Sequence, residues 1–238
     1  MTSMLQGPLL AEGVVRSVAA AGSVFTLVIE RMVVAEGARI AVVGPSGCGK
    51  STMLAVLSLA LRPDEGERLA VGGADALALW RREDGDGLAA LRAGSVGLVP
   101  QTGGLLPFLT LRDNIGLPQR ILGRVDVGRV EALAERLGIG GILGRMPGAV
   151  SVGQRQRAAV ARALAHRPAV VLADEPTASV HPAQADEILA LLTQAAGEDG
   201  AALVISTHDA RRADAAGYAI APCRPDADGV TTRFCWPP

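Results

Sequence analysis

The feature that most constrains the fold is a glycine-rich segment that lies between an apolar run and a helical pattern. It reads GPSGCGKST over residues 44–52 and satisfies the pattern G-x-x-x-x-G-K-[ST]. Residues 39–43 (RIAVV) predict a buried strand before it, and residues 51–61 predict a helix after it, ended by Arg62-Pro63. This arrangement points backbone N–H groups and a helix dipole at an anion. The segment therefore predicts a phosphate-binding loop inside an α/β domain.

Lys50, within this loop, is the one lysine among 23 basic residues. A compact ammonium can enter a nest of phosphate oxygens, where a planar guanidinium cannot make the same contact. We expect Lys50 to contact the β- and γ-phosphates of a nucleotide and Ser51 to bind Mg²⁺. Cys48 is interpreted as a small filler. A guanine-binding Asn-Lys-x-Asp motif needs a second lysine, so the commonest GTPases are excluded, whereas the loop alone leaves a small-molecule kinase open.

Composition narrows the class of protein further. With 49% hydrophobic and 20% charged residues among 238, the chain is not intrinsically disordered. The 23 basic and 24 acidic residues leave a net charge of −1, which argues against nucleic acid as a partner. Three cysteines do not suggest a disulfide framework, and we find no apolar run long enough to cross a bilayer. We therefore expect a soluble protein of the reducing cytosol.

Two further apolar runs end in polar residues. Residues 169–173 (AVVLA) precede Asp174 and Glu175, and residues 201–206 precede Thr207 and His208. Residues at the carboxyl ends of parallel strands share one edge of an open α/β sheet. The first acid is placed to hold Mg²⁺ through water and the second to polarise an attacking water. A solvated turn before Pro176 remains the alternative for the acids, and a structural role remains the alternative for the histidine.

Together, these motifs have the order and spacing of one known family. Besides the loop and the acids, the chain carries Gln101 in VGLVPQTGGLLPFLTLRDNI and the segment VSVGQRQR at residues 150–157. Over about residues 14–221, this ordered set resembles the ATP-binding subunits of ABC transporters. The stretch after Gln101 most closely resembles the lipoprotein-releasing and macrolide-efflux-like subgroup.

The resemblance implies an α/β fold, with a P-loop NTPase core, a small antiparallel β subdomain and a helical insertion subdomain at about 102–165. We expect residues 1–238 to form a single ABC ATP-binding domain, with surface turns and short strands at 64–94 and a loose end at 222–238. The resemblance also implies ATP and Mg²⁺ as cofactors and ATP hydrolysis that powers transport. The implied partners are an integral-membrane permease and a second copy or a homologous ABC subunit; nucleic acid is not expected. The chain itself would be cytoplasmic and peripheral on the inner face of the cell membrane, held there by its permease.

Residue roles follow from the same resemblance. Glu175 would be the catalytic base, His208 would steady the γ-phosphate, and Gln101 would contact Mg²⁺ and the attacking water. The implied metal-binding residues are Ser51, Gln101 and Asp174. The implied nucleotide-binding residues are Gly44, Pro45, Ser46, Gly47, Cys48, Gly49, Lys50, Ser51 and Thr52 and, from the signature segment, Ser151, Gly153 and Gln154. Because the signature acts in trans in this family, a complete site would need a nucleotide-sandwich dimer.

The sequence departs from the family pattern at three places. Val152 replaces the first glycine of the usual Leu-Ser-Gly-Gly-Gln, and its branched side chain limits how closely that backbone approaches a phosphate. Pro182 stands where relatives carry a carboxylate. Residues 19–21 are alanines where relatives place an aromatic near position 21 to stack on adenine, and Phe25 is the nearest substitute.

Base stacking is worth ~1–3 kcal/mol, so we expect weaker ATP affinity. We expect the three departures together to slow turnover but leave it intact, because Lys50, Gln101, Asp174, Glu175 and His208 are all present. A regulatory subunit that barely hydrolyses ATP stays an alternative, as does a soluble ABC protein of DNA repair or translation.

Overall fold

A computed structural model of the chain describes residues 7–20 and 23–237. Its β-strands are β1 (Leu9–Ala20), β2 (Ser23–Val34), β3 (Arg39–Val43), β4 (Arg68–Val71), β5 (Ala74–Asp75), β6 (Val96–Val99), β7 (Val170–Asp174), β8 (Ala202–Thr207), β9 (Ala219–Pro222), β10 (Arg224–Pro225) and β11 (Thr231–Trp236). Its α-helices are α1 (Lys50–Leu57), α2 (Ala76–Arg81), α3 (Gly85–Ser95), α4 (Leu111–Ile121), α5 (Val127–Arg136), α6 (Val152–Leu164), α7 (Pro182–Glu198) and α8 (Ala210–Ala215). Two 3₁₀ turns, Gly140–Ile142 and Pro147–Ala149, lie between α5 and α6.

A five-stranded parallel sheet, with strand order β6-β7-β8-β3-β9, forms the centre of the fold. The strands β7 and β8 are buried almost throughout, as expected where helices cover both faces of a parallel sheet. Since β3, β7 and β8 run in the same direction, the residues that follow them meet at one sheet edge. This edge brings the glycine loop, the two acids and His208 together, as the sequence predicts.

A second sheet, with order β10-β11-β2-β1-β4-β5, is antiparallel except where β11 runs parallel to β2. The prediction of a loose end at 222–238 is therefore wrong over 222–237, which hold β10 and β11. Thr231 pairs with Thr26 and Trp236 with Met32, and Phe234 is buried in the core. The partner strand lies some two hundred residues earlier in the chain, so local periodicity carries no sign of this pairing.

Helix α1 lies between the two sheets and contacts β1 and β2 on one side and β7 and β8 on the other. It ends at Leu57, four residues before the predicted end. Leu59 adopts a left-handed backbone (φ +60°) with its side chain fully buried, and the N–H groups of Ala60 and Leu61 both donate to the Ala55 carbonyl. Burial of Leu59 thus stops the helix earlier than its apolar pattern indicates.

The region 64–94 differs from the prediction, because it contains α2 and most of α3 besides the short strands β4 and β5. Each helix begins with an aspartate cap: Asp75 Oδ1 accepts from Ala78 N (3.0 Å) and Asp84 Oδ1 from Gly87 N (2.8 Å). From the sequence, these aspartates predict turns, but in the structure they are the N-caps of helices. Trp80 packs against the core, as expected for a packing residue.

Helices α4, α5 and α6 lie within the predicted helical insertion and pack on an apolar cluster that also includes the inner face of the parallel sheet. Their N-caps are Thr110, Asp126 and Ser151, and each cap side chain accepts a backbone hydrogen bond from the third residue after it. Within the described residues, no helix is both long and apolar enough to cross a membrane.

Candidate nucleotide-binding site

The glycine loop between β3 and α1 has a backbone that requires glycine at two positions. Gly47 and Gly49 have φ values of +83° and +88°, in the left-handed region that side chains disfavour. A β-carbon added to Gly49 would lie 2.5 Å from the ring of Phe25. The loop therefore holds its backbone close to β2, and Gly49 caps the N-terminus of α1.

Lys50 is buried at the first position of α1, with 5% of its surface exposed. Its Nζ donates to the carbonyl oxygens of Gly44 (2.8 Å) and Pro45 (2.9 Å) and lies 3.5 Å from Glu175 Oε1. A buried ammonium needs such partners, because an isolated charge away from water is costly. The lysine charge is thus held at the base of the loop, facing the acids at the end of β7.

The two acids are linked by Ser206, which sequence reasoning missed. Ser206 Oγ donates to Asp174 Oδ1 (2.6 Å) and accepts from the backbone N–H of Glu175 (2.9 Å). Glu175 has a left-handed backbone (φ +44°), and its Oε2 lies 2.8 Å from His208 Nδ1. The only signal for Ser206 in the sequence is a polar residue inside the apolar run of β8, where it is fully buried.

A cleft of about 630 Å³ opens in front of the loop. The predicted site residues that line it are Ser46, Gly47, Gly49, Lys50, Ser51, Thr52, Gln101, Glu175 and His208. Val18, Phe25 and Ala178 complete the lining. Gly44, Pro45, Cys48 and Asp174 do not line the cleft. Two larger cavities, of about 770 and 880 Å³, lie away from these motifs, so the chemistry of the lining rather than size identifies the site.

The signature residues lie elsewhere in the chain. Ser151, Gly153 and Gln154 are absent from the described lining of the cleft. Ser151 and Gln154 form a capping box: Ser151 Oγ accepts from Gln154 N (3.2 Å), and Gln154 Oε1 accepts from Ser151 N (3.0 Å). Val152 is 43% exposed and lines a separate cavity with Thr102 and Ser179. One chain alone therefore does not bring the signature to its own cleft.

The other two departures, at residues 19–21 and at Pro182, lie only partly within the residues that the structure describes. Ala21 lies outside the described residues, whereas Phe25, a half-buried residue of β2, lines the cleft opposite its strand partner Val18. Pro182 begins α7. Phe25 is thus the one aromatic residue in the described lining of the cleft.

Comparison with known proteins decides the family, because the profile described as "ABC transporter" matches residues 31–178. This chain belongs to the ABC transporter family. The chain, called the cassette below, is 40% identical over 200 residues to the lipoprotein-releasing system ATP-binding protein LolD of Anaeromyxobacter dehalogenans, and the match covers 82% of each chain. It is 42% identical over 178 residues to the thiamine import ATP-binding protein ThiQ of Cereibacter sphaeroides, covering 73% of this chain and 71% of ThiQ.

Among solved structures, the cassette resembles the dimeric ATP-binding cassette MJ0796 bound to ADP and Pi, with a TM-score of 0.81 and 29% identity over 95% of this chain and 96% of that one. These findings confirm the predicted family, the α/β P-loop fold and an ATPase whose hydrolysis is coupled to transport. They also confirm ATP as the bound nucleotide.

Proposed function

We propose that the cassette hydrolyses ATP in a dimer and powers a membrane permease, with Glu175 as the base. The observation that carries the proposal is the cluster of Glu175, Lys50 and His208 at one end of the cleft. Both oxygens of the Glu175 carboxylate have a nitrogen within 3.5 Å, one from Lys50 and one from His208. A carboxylate held in this way faces the place where a terminal phosphate would lie above the loop.

Phosphate binding rests on the loop backbone and on Lys50. Glycines with a left-handed backbone allow such a loop to turn N–H groups toward an anion, and the N-terminus of α1 adds a partial positive charge. Lys50 Nζ already lies at the base of this cradle, although its donors are directed to Gly44, Pro45 and Glu175. Phosphate oxygens would replace these acceptors, which would free Glu175 to accept a proton from water.

The residues present also fit a magnesium ion that arrives with the nucleotide. No group of three or more His, Cys, Asp or Glu side chains among the described residues could hold a metal by itself. Mg²⁺ is usually bound by one or two protein oxygens together with substrate phosphates and water. Ser51 and Gln101 line the cleft, and Asp174 is oriented by Ser206 at the adjacent strand end, so these three would hold the ion. Mg²⁺ would supply charge neutralisation on the phosphates.

The signature supports a dimer in which each nucleotide contacts both chains. Ser151 is exposed at the N-terminus of α6, which is an anion-binding position. Since Ser151, Gly153 and Gln154 do not reach the cleft of their own chain, we place them on the γ-phosphate held by the partner copy. The dimeric form of the similar cassette MJ0796 supports this pairing.

A permease partner is supported by an exposed apolar segment after Gln101. Phe108 is 71% exposed, and its loop is fixed by the buried Asn114, which accepts from Leu106 N (2.7 Å) and donates to the carbonyls of Leu106 and Leu109 (3.0 Å each). We propose that this segment docks a permease of the lipoprotein-releasing or macrolide-efflux type at the inner face of the cell membrane. The similarity to LolD supports this choice of partner.

Mg-ATP hydrolysis by the purified chain, measured against protein concentration, tests the proposal. We expect a rate that rises faster than linearly, because two chains form each site. Glu175→Gln keeps the side-chain shape but removes the base, and loss of general-base catalysis predicts a fall of about 100- to 10,000-fold. ATP binding should be retained in this variant.

Glu36→Gln, in the exposed turn before β3, is the matched control and should hydrolyse ATP at the normal rate. A linear rate that survives Glu175→Gln would contradict the proposal. Turnover that stays absent even with the permease added would instead favour the regulatory subunit that binds ATP without hydrolysing it.

A further inference from the structure

Two of the three cysteines meet directly behind the phosphate loop. Cys48 and Cys223 are 175 positions apart in the chain, yet their Sγ atoms are 2.7 Å apart. Cys48 lies between the two left-handed glycines of the loop. Cys223 follows β9, and its N–H donates to the carbonyl of Val43 (2.8 Å), the last residue of β3. The two sulfurs therefore connect the nucleotide loop to the edge strand of the parallel sheet.

The packing around this pair keeps the sulfurs together. A β-carbon added to Gly44 would lie 1.8 Å from Cys223 Sγ and 2.8 Å from Cys48 Sγ. Both side chains belong to the apolar cluster between the two sheets, and the two residues are 6% and 9% exposed. The sulfurs thus occupy the space that the missing side chain of Gly44 leaves, and close packing limits their movement apart.

The two sulfurs differ chemically. Burial, followed by the contact with Cys48, raises the pKa of Cys223 to about 12, so this residue stays a thiol at neutral pH. Its Sγ donates to Cys48 Sγ, and Lys50 Nζ lies 4.0 Å from that same atom. Cys48 Sγ therefore accepts from a thiol and has an ammonium 4.0 Å away, and on this geometry we expect it to be the sulfur that reacts first.

We propose that Cys48 and Cys223 form an oxidation site for a hydroperoxide and that their disulfide restrains the phosphate loop. With hydrogen peroxide, Cys48 Sγ attacks one oxygen, the O–O bond breaks, and the leaving hydroxide takes the Cys48 proton as one water, which gives a sulfenic acid on Cys48. Cys223 Sγ then attacks the Cys48 sulfur, the S–O bond breaks, the Sγ–Sγ bond forms, and the displaced hydroxide takes the Cys223 proton as a second water. The dithiol loses two electrons and two hydrogens, and the peroxide is reduced to water.

The effect on the loop rests on the proposed ATPase function. A disulfide is about 2.05 Å long, so its formation draws the sulfurs together by about 0.7 Å from their separation of 2.7 Å. That movement shortens the link between the phosphate loop at Cys48 and the residue that follows β9, Cys223. Because displacements near 1 Å cost about 100-fold in rate at a reacting centre, we expect ATP turnover to fall about tenfold. A thiol reductant should restore it.

The test treats the reduced chain with hydrogen peroxide, blocks free thiols, and examines tryptic peptides without reduction. The three cysteines fall on separate peptides, 40–50, 213–233 and 234–238, because trypsin does not cleave the Arg224-Pro225 bond. We expect the first two peptides to be joined, with a mass two hydrogens below their sum, and released by reductant. Cys235→Ser is the matched control and should form the same pair, whereas Cys223→Ala should abolish it and make turnover insensitive to mild peroxide.

Each result decides one part of the proposal. Cys48 that becomes only sulfinic or sulfonic acid in the wild-type chain, or that pairs with Cys235, overturns the oxidation site. A joined pair with unchanged ATP turnover overturns its control of the loop. If the reduced chain shows no turnover even with the permease added, the ATPase proposal fails, while the peptide masses still decide the oxidation site by themselves.

Discussion

The cleft and the signature segment are built differently, although both are expected to contact the same phosphate. In the cleft, Lys50, Glu175 and His208 are held by bonds within the chain, and Ser206 orients the acids from behind. At the signature, the side chains of Ser151 and Gln154 bond to each other's backbone, and Val152 is 43% exposed. The first region is held together by contacts within one chain. The second is a pre-formed helix terminus that still needs a partner chain.

Among the variants that test this difference between the cleft and the signature segment, Ser151→Asp should have the largest effect on ATP turnover. Aspartate is as good an N-cap as serine, so α6 keeps its start, but the added negative charge opposes a phosphate. We expect turnover to fall about 100-fold, as when one donor to a reacting anion is removed. Ser151→Asn, an equally good cap without the charge, controls for helix stability. Circular dichroism should be unchanged in both variants.

Mixing two inactive variants sharpens the test. A heterodimer of Ser151→Asp and Glu175→Gln chains has one site with an intact cleft from one chain and an intact signature from the other. Random pairing at equal amounts should restore about a quarter of wild-type activity. If the mixture stays as inactive as its components while dimers form, the signature does not act in trans.

Phe25→Ala tests the adenine side of the cleft and should have the next largest effect. The ring lies over Gly49 and lines the cleft, and loss of base stacking worth ~1–3 kcal/mol predicts about a tenfold rise in the Kd for ATP. Phe25→Tyr keeps an aromatic face and should bind normally. Calorimetry with inorganic tripolyphosphate provides a second control, because damage to the loop would weaken both ligands and loss of stacking only ATP.

The sequence predicted those parts of the fold and of the site that depend on local patterns. It missed those that depend on contacts between residues far apart in the chain. Strands β3, β7 and β8 were predictable because strands buried on both faces read as short apolar runs, and their shared edge follows from their direction. The early end of α1 was not predictable, because it depends on the burial of Leu59 by tertiary packing.

Strand β11 and the pairing of Cys48 with Cys223 were missed for a related reason. The partner of each lies far away in the chain, so no local pattern could reveal either contact. At the cleft, motif order was enough to bring nine predicted residues to one surface. Ser206 was missed because a single serine in a buried strand has no distinctive spacing.

The smallest expected effect comes from Val152→Gly. This variant tests whether the valine side chain in the signature segment slows ATP turnover. The valine side chain stands at the first residue of α6, where the partner's phosphate would approach. Its removal should let the backbone come closer and raise turnover about threefold, equivalent to ~0.7 kcal/mol of transition-state stabilisation. Glycine also costs a helix about 1 kcal/mol relative to alanine, so Val152→Ala is the matched control and should give a smaller gain with a higher melting temperature. If both variants fold and neither is faster, the branched side chain does not limit the reaction, and the cause of any slow turnover lies in the cleft instead.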